Sequence, residues 1–376
     1  MKLIQLTILL IIPMVAGAVN RGGVERIELL HADTLRSREH TRQLIGHVKV
    51  RRGATLITAD HALYDTRSGQ VTLMGNVKLK EPDRDVKARR MVYNEFSGNF
   101  DASQDVDMYY GDSLRIRSRT ASYDEAAGTV DLYGDVIIDN LSDNARITGK
   151  HGRWNQLDDN GVIDQQPVYR LPDEKGDPPD TLVIVSRYLF FDRAAGTALF
   201  TGAVEMTQGD MRAEADSLNH IPDSSLTILS GNPIIWREDD ELTGRRIRLH
   251  YEDRILKKVI VEGEASVLSG TKPDDPRRNY LVGKKLTMTT IDDSTRIIFV
   301  EGDAQGEYHV WDESDVYQGV NLSAADTIEL TVVSEKATSI VLEGRSNGAF
   351  YPPEQIPEGV GIREPASSSG RLRSSS

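Results

Sequence analysis

Apolar and polar residues alternate with period two from about residue 40 to residue 350, the pattern of strands with one buried face. Two strand types recur. The first is apolar with a glycine at its centre: QLIGHVKV (43–50), VTLMGNVKL (71–79), VDLYGDVII (130–138), ALFTGAVEM (198–206), LTILSGNPII (226–235), KVIVEGEASVL (258–268), RIIFVEGDA (296–304) and SIVLEGRSNG (339–348). Around Gly75 the apolar positions are Val71, Leu73, Val77 and Leu79; around Gly134 they are Val130, Leu132, Val136 and Ile138. Each set shares one strand face, and a residue without Cβ at the centre permits a bulge or sharp bend. Weaker copies without the glycine fall near Ala102 and Asp164.

The second type carries a charged residue followed by apolar positions two and four residues later, as in ITADHALYD (57–65), VKARRMVYN (86–94) and IRSRTASYD (116–124). Its charged position is Asp60, Arg89, Arg119, Lys150, Arg187, Asp216, Arg245, Lys284 and Asp326 in turn. Its last position is Tyr64, Tyr93, Tyr123, Trp154, Phe191, His220, Leu249, Met288 and Leu330. Asp–Gly turns such as DTRSGQ (65–70), DEAAGTV (124–130) and DRAAGTA (192–198) join the second type to the next glycine strand, which predicts antiparallel hairpins. A long series of such strands without helical periodicity means an all-β solenoid, jellyroll or barrel. LPDEKGDPPD (171–180) interrupts the series as a seam or an inserted loop; the alternation resumes in phase, which favours a loop. TKPDDPRRN (271–279) is similar, and the pattern ends near Tyr351, where a low-complexity tail (351–376) is expected to be disordered.

The N-terminus changes the picture. Lys2, an apolar run through Val15 and the small-x-small triplet Ala16-Gly17-Ala18 read as a signal peptide over 1–18, cleaved after Ala18; the alternative is an uncleaved anchor. The apolar run is shorter than the ~20 residues of a spanning helix. No cysteine is present, so disulfides and thiolate metal sites are excluded, which fits export to a bacterial periplasm by a chain with a sufficient core. A net charge of -13 disfavours nucleic acid as a partner.

Candidate chemistry is sparse. The histidines, His31, His40, His47, His61, His151, His220, His250 and His309, have no metal-ligand spacing, and nucleophile-elbow and phosphate-loop motifs are absent, so neither enzyme activity nor a cofactor is expected. Acid pairs such as Asp158-Asp159, Asp239-Asp240, Asp274-Asp275 and Asp292-Asp293 fall in predicted turns. A parallel β-helix acting on polysaccharide could use such carboxylates, but short Asp–Gly turns favour hairpins. The charged row Arg89, Arg119, Lys150, Arg187, Arg245 and Lys284 has two readings: contacts to lipid phosphates, or solvated residues paired with the abundant acids, the second favoured. The aromatics Tyr64, Tyr93, Tyr123, Trp154 and Phe191 read as core ahead of a binding ladder.

A glycine-centred apolar strand followed by a strand ending in Tyr, as in QLIGHVKVRRGATLITADHALYD (43–65) and VTLMGNVKLKEPDRDVKARRMVYN (71–94), resembles the LptA/OstA-like family of periplasmic lipopolysaccharide-transport proteins. The resemblance spans roughly residues 25 to 350 and implies an OstA-like domain over 19–350: a long, twisted, open β-jellyroll of repeated antiparallel strands. It also implies a non-enzymatic bridging role, with the acyl chains of lipopolysaccharide (its lipid A) in an apolar trough. Implied partners are inner- and outer-membrane lipopolysaccharide-transport proteins with related jellyroll domains, and further copies joined end to end. Inner-face candidates for lipid contact are Leu73, Val77, Leu79, Leu132, Val136, Ile138, Leu189, Phe191, Phe200, Val204, Met206, Leu229 and Val261. The same residues would form the core of any β repeat, so a structural or interaction scaffold of the cell envelope stands beside the transport reading. The chain departs from the family in being longer than a short bridging member, and it has no room after the repeat for the large barrel of the translocon member.

Overall fold

The structure, a computed structural model, describes residues 26–363 apart from 143, 174–179, 254, 273–274, 293, 313 and 335. The expected signal segment (1–18), the middle of the 171–180 interruption and the tail beyond 363 lie outside the described residues.

The strands Thr41–Arg52, Thr55–Asp65, Gln70–Lys80, Arg84–Asn94, Phe100–Tyr110, Leu114–Asp124 and Thr129–Asn140 follow one another as antiparallel neighbours. The series continues, in a sheet of 26 strands among the described residues, to Tyr317–Val333 and its partners Lys336–Glu343 and Asn347–Tyr351. Asx turns close the hairpins: Asp65 Oδ1 accepts the backbone N–H of Arg67 and Ser68, and Asp124 Oδ1 those of Ala126 and Ala127.

The continuous glycine strands bend at their centres, where two residues take positive φ and the register slips; at Gly231 and Gly344 the chain instead breaks into two strands. Gly75 (φ 75°) and Asn76 (φ 46°) make one such corner, and the pairing with Thr55–Asp65 shifts between Thr58 and His61. Glycine is needed twice over at this point. Left-handed backbone disfavours a side chain, and a Cβ on Gly75 would lie 2.4 Å from a carboxylate oxygen of Asp60 on the neighbouring strand. At Gly134 the obstructing side chain is Arg119. Where the sequence lacks the glycine, Gln104 (φ 65°) and Asp105 (φ 58°) make the corner within Phe100–Tyr110.

The corners divide the roll into two arms: the first holds the part of each glycine strand before its bend together with the paired part of its antiparallel neighbours, and the second holds the rest. Apolar residues of both arms, such as Leu73 and Leu79 of one strand, are buried in one continuous core from Leu44 to Leu330. The chain is thus an all-β jellyroll: bent strands stacked along an axis, with corners on one side and two rims of turns on the other. Strands Val168–Asp173 and Asp180–Val185 pair with each other from Val168↔Val185 to Asp173↔Asp180, so residues 171–173 extend a hairpin.

The charged row lies at the corners, pointing outward. Arg89 pairs with Asp105 (2.6 Å), Arg119 with Asp135 (2.6 Å), Arg245 with Glu264 (2.7 Å) and Lys284 with Asp303 (2.8 Å). Each acid is the second residue of the next corner, so these four members of the row meet acids of the chain itself. Residues 351–363, expected at the start of the tail, are placed: the chain turns at Pro353–Gln355 and doubles back, Ile362 bridging to Arg277 and Glu307 accepting the Gly361 N–H (2.7 Å) and pairing with Arg363 (2.9 Å).

Candidate functional site

The last positions of the second-type strands form a column along the rim of the first arm, and the nature of that column divides the roll. From Tyr64 to Phe191 it is aromatic. Tyr123 stacks on Phe100 with ring centroids 5.1 Å apart, and Trp154 stacks on Phe191 at 5.6 Å. Tyr64 donates its hydroxyl to Glu95 (2.6 Å), which also accepts the Ile27 N–H. Burial lifts the phenols of Tyr64, Tyr93 and Tyr110 to about 12, so all three stay neutral at ordinary pH.

Arginines sew the two rims together over this column. Arg52, on a second-arm turn, donates to Tyr93 Oη and to Glu125 on a first-arm turn, both at 3.1 Å. Arg84, only 5% exposed, pairs with Glu81 at 2.6 Å and lies 3.9 Å from the centre of the Tyr123 ring. Arg193, on a first-arm turn, reaches Ser113 on a second-arm turn at 2.9 Å and covers Trp154. The interior behind the seam is filled: Trp154, Tyr93, Phe200, Ile57, Leu73, Met91 and Leu132 are among the largest fully buried side chains.

The column changes at His220. This imidazole is buried against Tyr169, with Nδ1 3.0 Å from Thr227 Oγ1, and burial drops its pKa to about 4, so it is neutral. Beyond it the column is aliphatic: Leu249, Met288 and Leu330. The strands also lengthen, to Ile255–Gly270, Arg278–Thr290, Thr295–Trp311 and Tyr317–Val333. Between these arms lies a cavity of about 460 Å³, lined by Val267, Leu281, Met288, Ile298, Ile328 and Leu330, and at the terminal edge by Ile340 and Leu342. Its charged margin includes Lys272 and the pair Arg296–Asp240, which links the rims at 3.6 Å. Ile340, a lining residue, is 41% exposed, so the cavity opens toward the C-terminal edge of the sheet.

The sequence-derived inner-face candidates all lie in the core. Leu73, Val77, Leu79, Leu132, Val136 and Ile138 sit behind the arginine seam, followed along the axis by Leu189, Phe191, Phe200, Val204 and Met206, then Leu229 and Val261. The lining of the cavity is made of other residues, chiefly from positions 267–342. Sequence reasoning passed over these, although the change from Tyr, Trp and Phe to Leu and Met in the column was a readable signal. Among the described residues no group of three or more His, Asp or Glu side chains is arranged to hold a metal ion.

The model of the family described as LptA/(LptD N-terminal domain) LPS transport protein matches residues 30–156 and 192–255, just over half of the chain. No curated protein matches. Among solved structures the chain is similar to LptH, the LptA-homologous periplasmic component of the lipopolysaccharide transport device of Pseudomonas aeruginosa: 15% identity, 38% of this chain and 95% of that one covered, TM-score 0.30.

Proposed function

The chain belongs to the LptA/(LptD N-terminal domain) family of LPS transport proteins, and from that premise we propose that it is a non-enzymatic periplasmic carrier that shields the acyl chains of lipopolysaccharide inside its jellyroll. The observation that carries the reading is the cavity of about 460 Å³ between the arms, lined by aliphatic side chains with charged ones at its margin, a volume within the usual range of ligand sites. Each CH₂ of an acyl chain moved out of water gains about 0.8 kcal/mol. Transfer from a membrane into an aliphatic cavity is therefore nearly balanced, and net flow needs energy from a partner.

The sheet ends supply docking sites for such partners. Glu28–His31 and Thr34–Arg38 form one terminal edge and Lys336–Glu343 and Asn347–Tyr351 the other, with Leu29, Leu35, Val341 and Phe350 exposed there. Edges that carry no further strand among the described residues can accept one, from related jellyroll domains at the inner and outer membranes or from a second copy.

Photocrosslinking in cells tests the lipid reading. A benzophenone amino acid at Met288 or Leu330 is expected to form lipopolysaccharide adducts, and one at the outward-facing Glu329 is not. If a folded, exported protein yields no adduct at either inner position, the transport reading fails and the repeats are a scaffold.

A further inference from the structure

We propose that lipid occupies only the C-terminal part of the roll, and that the arginine–aromatic seam is a closure that keeps acyl chains out of the rest. The protein is then a one-ended receptor, loaded and emptied through the edge that carries Ile340, and not a conduit along its whole length. This rests on the acyl-chain reading above and adds where the chain can go.

Three observations carry it. First, the seam is made of interactions that an acyl chain cannot replace. To pass between the rims near Arg84, a chain would have to part its guanidinium from Gln156 on the facing turn and from the face of Tyr123. Hydrocarbon in their place would offer this buried cation no partner, and burying a charge against apolar groups is costly. The same holds where Arg52 joins Tyr93 to Glu125 and where Arg193 joins Ser113 to Asp159. These three links fall on successive turns, so the closure is continuous along that stretch of the rims.

Second, the interior behind the seam is occupied by the protein's own side chains. Rings of Phe100, Tyr123, Trp154 and Phe191 fill the rim side, and Leu73, Leu132 and Phe200 are fully buried beneath them. Interiors packed this way lack room for even a methylene without strain. Third, the opposite features coincide at the other end: an aliphatic column, longer strands, a rim-to-rim pair, Arg296–Asp240, that is loose at 3.6 Å, and a lining residue open to solvent. His220 stands between the two zones as a buried polar group in the column.

The experiment extends the crosslinking set to Leu73 and Phe200 behind the seam, beside Met288 and Leu330 in the cavity and Glu329 outside. The same question is put to the unsubstituted protein by amide hydrogen exchange with and without purified lipopolysaccharide, which keeps the test valid if the probe disturbs the packed positions. Adducts at Met288 and Leu330, with Leu73 and Phe200 no higher than Glu329, and lipid-induced protection confined to residues 255–343, are the expected result. Adducts at Leu73 or Phe200, or protection spreading into residues 41–140, would overturn the one-ended arrangement while leaving the carrier reading intact. Absence of adducts everywhere, with no change in exchange, would remove the carrier reading itself.

Discussion

The two halves of this roll are built from one repeat and put it to different ends. Before His220, each repeat spends its rim position on an aromatic ring, and arginines of the two rims contact Tyr93, Tyr123 and Trp154. After it, the same position holds Leu or Met, the strands grow longer, and the arms stand apart around a cavity. The period-two pattern is common to both halves. Whether an apolar interior is a core or a container depends on what closes its open side.

Several substitutions set the halves against each other. The largest effect is expected at Arg84. Replacing it with alanine leaves Glu81 without its cationic partner and strips the faces of Tyr123 and Phe100. A loss of about 3–5 kcal/mol is expected from breaking a buried pair, read as a shift of the urea midpoint. Arg296→Ala, at the cavity margin, is expected to cost under about 1 kcal/mol, as for partly exposed pairs. Equal losses would erase the distinction between a sealed seam and an open mouth.

His220 marks the boundary by its pH response. Its folded pKa, about 4, lies below the unfolded value near 6.5, so the unfolded chain binds more protons between those limits. The stability contributed by the neutral imidazole is present above pH 6.5 and is lost as pH falls toward 4, to a total of about 3 kcal/mol. Denaturant titrations at pH 7 and pH 5 are expected to differ in that direction, and His220→Phe to flatten the difference. An unchanged slope in the variant would place the acid sensitivity elsewhere.

Enlarging a side chain probes the space directly. Leu132→Trp, in the packed half, is expected to destabilise by about 1–3 kcal/mol through overpacking. Leu330→Trp, beside the cavity, is expected to leave the thermal midpoint nearly unchanged and to weaken lipopolysaccharide binding. The smallest effect belongs to the corners: Arg119→Ala removes an exposed pair with Asp135 and is expected to change stability by less than about 1 kcal/mol. A larger loss would make the outward row a structural clasp.

Much of this molecule is local, and local features are legible in the chain. Alternation at period two gave the strands and their buried faces. The glycines with their neighbouring charged residues marked the corners, because left-handed backbone and close approach both require the absence of Cβ at positions such as Gly75. Asp and Asn at the hairpin ends marked the turns. The rim contacts are of another kind. Arg52 meets Glu125 across 73 residues, Arg84 meets Gln156 across 72 and Arg193 meets Ser113 across 80. Which turns face each other depends on the twist and stagger accumulated over several strands, and no single repeat encodes that sum. The return of Gly361 to Glu307 is likewise a tertiary event. The sequence by itself determined the repeat, its corners and its apolar face; the tertiary structure decided where that face is sealed and where it is hollow, because closure is a property of two rims brought together and not of either one.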